Sequence, residues 1–158
     1  MAATQPRIAM TKNRTWIIIA DGGQARILSS TARAAGVQQL PNSNFSDPHL
    51  STHDLVTDRQ PRGHESVGAA RHAVEPRIDP HELRKQQFLA RLAEHVENAC
   101  MRHEFEHLVV VAPATAMGEL RKHFSPQLHK CLHAEIIHDY THQTNSYIYE
   151  HIRESLPL

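Results

Sequence analysis

Apolar residues fall in two unbroken runs and several helical stripes, and these divide the chain. Trp16, Ile17, Ile18 and Ile19 form a continuous, mostly β-branched run, which predicts a strand covered on both faces. Asp21-Gly22-Gly23 follows, residues that tolerate φ > 0 and let the chain reverse. Ala25, Ile27 and Leu28 return as the partner strand, with Arg26 turned to the other side. The pattern predicts a hairpin of Trp16 to Asp21 and Ala25 to Ser30. Val37 to Leu40, after the turn-prone Ala35-Gly36, reads as a short third strand. Leu108 to Ala112, LVVVA, is the second unbroken run and a central strand. Ala134 to Tyr140, with Ile136 and Ile137, reads as the last strand.

Helical spacing governs the rest. Asp79 suits an N-cap, Pro80 the first helical position and Glu82 the third, completing a capping box. Leu83, Leu89, Leu92, Ala93, Val96, Ala99 and Cys100 then form one stripe, predicting a helix to about His103. Lys85, Arg91 and Arg102 are expected to face water. Short helices are expected over Thr115 to His123, with Met117 and Leu120 inward, and from Ser125-Pro126 to about Leu132. Ile148 and Ile152 mark a closing helix over Thr144 to Ser155. Met1 to Asn13 is polar and aperiodic, a disordered tail. Residues 41–78 lack a period and read as one long loop. The expected fold is therefore α/β: a single domain over residues 14–158 with a mixed sheet of about five strands. The sheet begins with a hairpin, and one long helix and several short helices pack on it.

Composition narrows the classes. A chain of 158 residues suits one domain with a real core. Acidic and basic residues balance at 17 each, so any nucleic-acid contact must come from a local patch rather than a global field. The 14 histidines would charge the protein strongly on mild acidification. Cys100 and Cys131 lack CxxC spacing and read as reduced, buried thiols. The first apolar run is too short for a signal peptide and no run is long enough to span a membrane, so the cytoplasm is the expected location.

Two patterns invite metal chemistry. His103-Glu104-Phe105-Glu106-His107 matches HExxH, whose histidines bind zinc when they lie one helical turn apart on one face. Here the match falls where a helix stops and a strand begins, so the rings need not converge. Asp21 and Asp139 both stand at strand ends, where paired carboxylates could hold Mg²⁺ in a nuclease-like site. Fixing a turn and a strand end is the simpler role for the pair. No cofactor motif is present: there is no GxGxxG, P-loop or GxSxG.

WIIIADGGQAR (Trp16 to Arg26), RHAVEPRIDPHE (Arg71 to Glu82) and HLVVVAPATAMGELR (His107 to Arg121) together resemble the bacterial host-attachment protein family. That family is similar in turn to the middle domain of archaeal and eukaryotic peptide-chain release factors. The resemblance implies their scaffold and a ribosome-related ancestry. It does not carry over peptide release. The release factors' Gly-Gly-Gln loop precedes the long helix, whereas Gly22-Gly23-Gln24 sits in the first hairpin, where Asp21, Gly22 and Gly23 serve as a structural turn. At the loop position stands Arg62-Gly63-His64-Glu65-Ser66, lacking the second glycine and the glutamine. A carboxylate there cannot supply a neutral amide donor, and RNA phosphates would repel it.

The expectation is a non-catalytic accessory module associated with the ribosome or another structured RNA. The alternatives are a protein-interaction module regulating surface attachment, with an unidentified protein as partner, and a metal-dependent hydrolase. If RNA is bound, Arg59, Arg62, His64, Arg71, His72 and Arg77 are the expected contacts, since arginine forks pair with phosphates and stack on bases.

Overall fold

The computed structural model describes residues 13–51 and 77–158. The strands are β1 (Thr15–Ala20), β2 (Gln24–Ser30), β3 (Gln38–Ser46), β4 (His107–Ala112) and β5 (Leu132–Ile137). They form one mixed sheet in the order β3-β2-β1-β4-β5. The β1–β2 and β2–β3 pairs are antiparallel, and the β1–β4 and β4–β5 pairs are parallel. The helices are α1 (Pro48–Ser51), α2 (Pro80–Met101), α3 (Ala114–His123), α4 (Pro126–Cys131) and α5 (Asn145–Ile152).

β1 and β4 are the central strands, which is why their sequences are apolar without alternation. Trp16, Ile18, Ala20, Leu108, Val110 and Ala112 share a cluster with residues of α2, α3 and α4. Ile17, Ile19, Val109 and Val111 share a second cluster with Ile148 and Ile152 of α5. The sheet is thus sandwiched between a helical layer and a single helix. No helix among the described residues is long and apolar enough to cross a membrane.

Besides the end of β5, at Ile137 rather than Tyr140, four sequence expectations change. β3 extends to Ser46, so residues 41–46 are strand rather than loop, and α1 follows directly. Pro41 reads as a breaker, but β3 is an edge strand among the described strands, its register shifts opposite Arg26 to Leu28, and both settings accept proline. Asn42, at φ 54°, makes the kink, and the Ser43 hydroxyl reaches the Ile27 carbonyl at 3.1 Å. Second, Leu83 is 42% exposed and leaves the stripe, while Phe88 is buried in it. Third, the aliphatic stem of Lys85 lies over Gly22 rather than in open water. Fourth, neither Gly22 nor Gly23 has a positive φ. Their small size is needed for close packing instead. A Cβ on Gly23 would lie 2.7 Å from Leu50 Cβ, and one on Gly22 would lie 3.1 Å from Lys85 Cδ.

Candidate functional site

The parallel strands β1, β4 and β5 end together, at Ala20, Ala112 and Ile137. Their carboxyl ends open a cleft of about 560 Å³, the usual ligand position of such sheets. Its walls are the turn at Asp21-Gly22, the start of α2, the Pro113–α3 junction and Asp139. Four carboxylates line it, Asp21, Glu82, Glu119 and Asp139, against Lys85 and Lys122. Lys122 is held by Glu119 at 2.9 Å, and His123 contacts the same carboxylate at 3.1 Å. The Lys122 hydrogen bond, with His123 behind it, holds the Glu119 carboxyl below its ordinary range. The net excess of carboxylates makes this cleft a poor seat for phosphate.

One rim of the cleft is a polar brace. Asp21 Oδ1 accepts the backbone N–H groups of Gly23 and Gln24, both at 2.8 Å. Asp21 Oδ2 lies 3.3 Å from Gln24 Nε2 and 3.2 Å from Thr141 Oγ1. Thr141 directs its N–H (3.1 Å) and its hydroxyl (2.6 Å) to Asp139 Oδ1. A hydroxyl has one proton, so the shorter contact takes it and the Gln24 amide serves Asp21. Gln24 Nε2 also meets His142 Nε2 at 3.3 Å. Arg26 donates to the Thr141 carbonyl at 2.7 Å and to the Gln143 carbonyl. Desolvation lowers its pKa from the ordinary arginine value. Gln24, held by Asp21, and Arg26 therefore fasten the 139–143 segment to the hairpin.

The structure thus brings Asp21 and Asp139 to one hydroxyl, but spends both Asp21 oxygens and Asp139 Oδ1 on local donors. Among the described residues, no three His, Cys, Asp or Glu side chains stand close enough to share a metal ion. The HExxH residues do not share a helix. α2 ends at Met101, His103 turns the chain at φ 55°, and His107 opens β4. His107 meets His133 edge to face, with centroids 5.7 Å apart.

Next to the cleft, on the segment just after β5 and on α5, lies a row of rings that sequence reading missed. His138 and Tyr140 stack at 5.1 Å with planes 2° apart. Tyr140 meets Tyr147 at 5.7 Å, and Tyr147 stacks on His151 at 3.9 Å. His138, Tyr147 and His151 are exposed. The i, i+4 spacing of Tyr147 and His151 was the available signal. Among the expected RNA contacts, Arg77 is exposed just ahead of α2. Arg59, Arg62, His64, Arg71 and His72 lie outside the described residues, as do residues 1–12 of the expected tail.

Among solved structures, the fold is similar to that of an archaeal translation termination factor, aRF1, at TM-score 0.48 and 13% identity. It covers 90% of this chain and 39% of that one. A second structure, of an archaeal protein, matches at TM-score 0.46 and 14% identity, covering 90% of this chain and 36% of that one. The chain thus spans less than two fifths of either. No curated protein matches the sequence. The family model described as "protein required for attachment to host cells" matches residues 16–152, and the chain belongs to that family.

Proposed function

We propose that the protein is a non-catalytic binding module of the host-attachment family whose partner is structured RNA, the ribosome's included. The observation that carries this reading is the ring row of His138, Tyr140, Tyr147 and His151, with His138, Tyr147 and His151 exposed. Flat aromatic and imidazole faces accept unstacked bases without sequence preference. The acidic cleft turns phosphate away, so the phosphate contacts would have to come from Arg59, Arg62, Arg71 and Arg77. Of the polar groups a catalyst would need at the strand ends, Asp21 is engaged with Gln24, and Asp139 Oδ1 with Thr141.

A second reading rests on a separate observation. β5 is a sheet edge among the described strands and Ile137 on it is 48% exposed, which suits a protein partner that adds a strand. Co-sedimentation with ribosomes at low and high salt separates the two. Retention that falls with salt, and falls further in a His138→Ala, Tyr147→Ala double variant, is the expected result. Absence from ribosomes at every salt concentration would remove the RNA reading and leave the edge strand.

A further inference from the structure

We propose that Cys100 and Cys131 form a redox-modification site, a dithiol that closes to an intramolecular disulfide when a peroxide oxidises it. They are the two cysteines of the chain, and their sulfurs lie 3.6 Å apart. A disulfide needs about 2.05 Å, so the gap to close is about 1.5 Å, within the reach of a side-chain rotation. Cys100 sits in the last turn of α2, and Cys131 is the last residue of α4. The start of α4 is fastened to the same helix, because Ser125 Oγ donates to Glu97 Oε1 at 2.5 Å. The two helices are thus in register at both ends of α4, and the sulfurs have little freedom to separate.

Accessibility orders the steps. Cys100 is 3% exposed, whereas Cys131 is half-buried and open to a small oxidant. Burial first, and then the hydrogen bond with Cys131, push the Cys100 thiol up to about 11, so it is not the sulfur that begins. The Cys131 thiolate attacks one peroxide oxygen and the O–O bond breaks. This leaves a sulfenic acid on Cys131 and a hydroxide that takes up the thiol's proton as water. Cys100 sulfur then attacks Cys131 sulfur, the S–O bond breaks, and the Cys100 proton leaves with the hydroxide as a second water. Two thiols and one hydrogen peroxide become one disulfide and two waters, with two electrons passing from sulfur to peroxide.

The test uses the full chain treated with hydrogen peroxide, then denatured, alkylated and weighed. The expected product is a monomer lighter by two hydrogen atoms, with no alkylatable thiol, restored by dithiothreitol. Its thermal midpoint should stand several degrees above that of the reduced protein. In Cys100→Ser, Cys131 should stop as a sulfenic acid that dimedone traps. In Cys131→Ser, Cys100 should stay alkylatable after the same exposure. The proposal is overturned if the wild-type chain keeps both thiols or forms only chain-to-chain disulfides. Passage of Cys131 to sulfinic or sulfonic acid while Cys100 remains a thiol would overturn it equally.

Discussion

Gly23 has no room for a side chain, and the obstacle is Leu50, itself 2% exposed within the main core. The Gly23 carbonyl also accepts the Asp47 N–H at 2.8 Å, so the turn cannot back away from α1. Gly23→Val should therefore cost about 1–3 kcal/mol, read as a lower urea midpoint at unchanged slope. Gly22→Ala should cost less, because its neighbour is the flexible stem of Lys85. That a turn would form here was legible in Asp21-Gly22-Gly23, since turn chemistry is local. Why glycine is needed was not, because Leu50 and Lys85 arrive from elsewhere in the chain. Asp47 gives a second prediction at this scale. Arg84 donates to it at 2.8 Å and, with the His49 N–H, holds its carboxyl below the ordinary aspartate range. A lowered folded pKa means stability that is present above the unfolded value, near 4, and is lost as pH falls through the folded one. Asp47→Asn should thus be less stable than wild type at neutral pH, and the difference should vanish in acid. Urea titrations at a series of pH values check this, and a gap that widens in acid would contradict it.

Caps decide where the helices begin, and they were the most readable element signals. Asp79 accepts the His81 N–H at 3.0 Å, Ser125 the Leu128 N–H at 3.1 Å and Thr144 the Tyr147 N–H at 3.1 Å. Each is a short polar residue just ahead of a helical stripe, so its role follows from neighbours in the sequence. Strand ends were less readable. β5 stops at Ile137 rather than Tyr140 because Asp139 and Thr141 bond each other and the Thr141 carbonyl takes Arg26 of the hairpin, a contact 115 residues distant in sequence. β3 ran past Pro41 because an edge position, invisible in the sequence, excuses the missing N–H. Ser125 is the cap with most to lose, since its hydroxyl also donates to Glu97 on α2. Ser125→Ala should cost about 1–2 kcal/mol, at the upper end of cap losses. The expected readout is a lower thermal midpoint with native circular dichroism. Ser125→Thr, which keeps both bonds, should recover most of it.

At the scale of the whole molecule, the fold was legible because two apolar runs and one long stripe define a sandwich, and the candidate site was not. The cleft gathers residues near positions 21, 82–89, 113–122 and 139, and the ring row joins the segment after β5 to α5, so proximity appears only after folding. Charge sets the remaining test. With 17 acidic and 17 basic residues the molecule has no net field at neutral pH, and the cleft's carboxylates add a local repulsion. Under the proposed RNA reading, salt-dependent affinity must then come from a concentrated set of cations. Arg59, Arg62, Arg71 and Arg77 stand within 19 positions of sequence ahead of α2. His64 and His72 lie among them, and a phosphate neighbour would raise their pKa in the complex. Their contribution is then present at low pH and lost as pH rises through the raised value. Replacing the four arginines by Gln removes four cations, so the slope of log affinity against log salt should fall by about 3–4. The ring variant His138→Ala, Tyr147→Ala should instead lower affinity at all salt concentrations and leave that slope nearly unchanged, because stacking releases no counterions. Filter binding to ribosomal RNA across a salt series measures both. A quadruple variant that keeps the parent's affinity and slope would show that the arginines are not the cations involved, and would move the interface to the exposed face of α2.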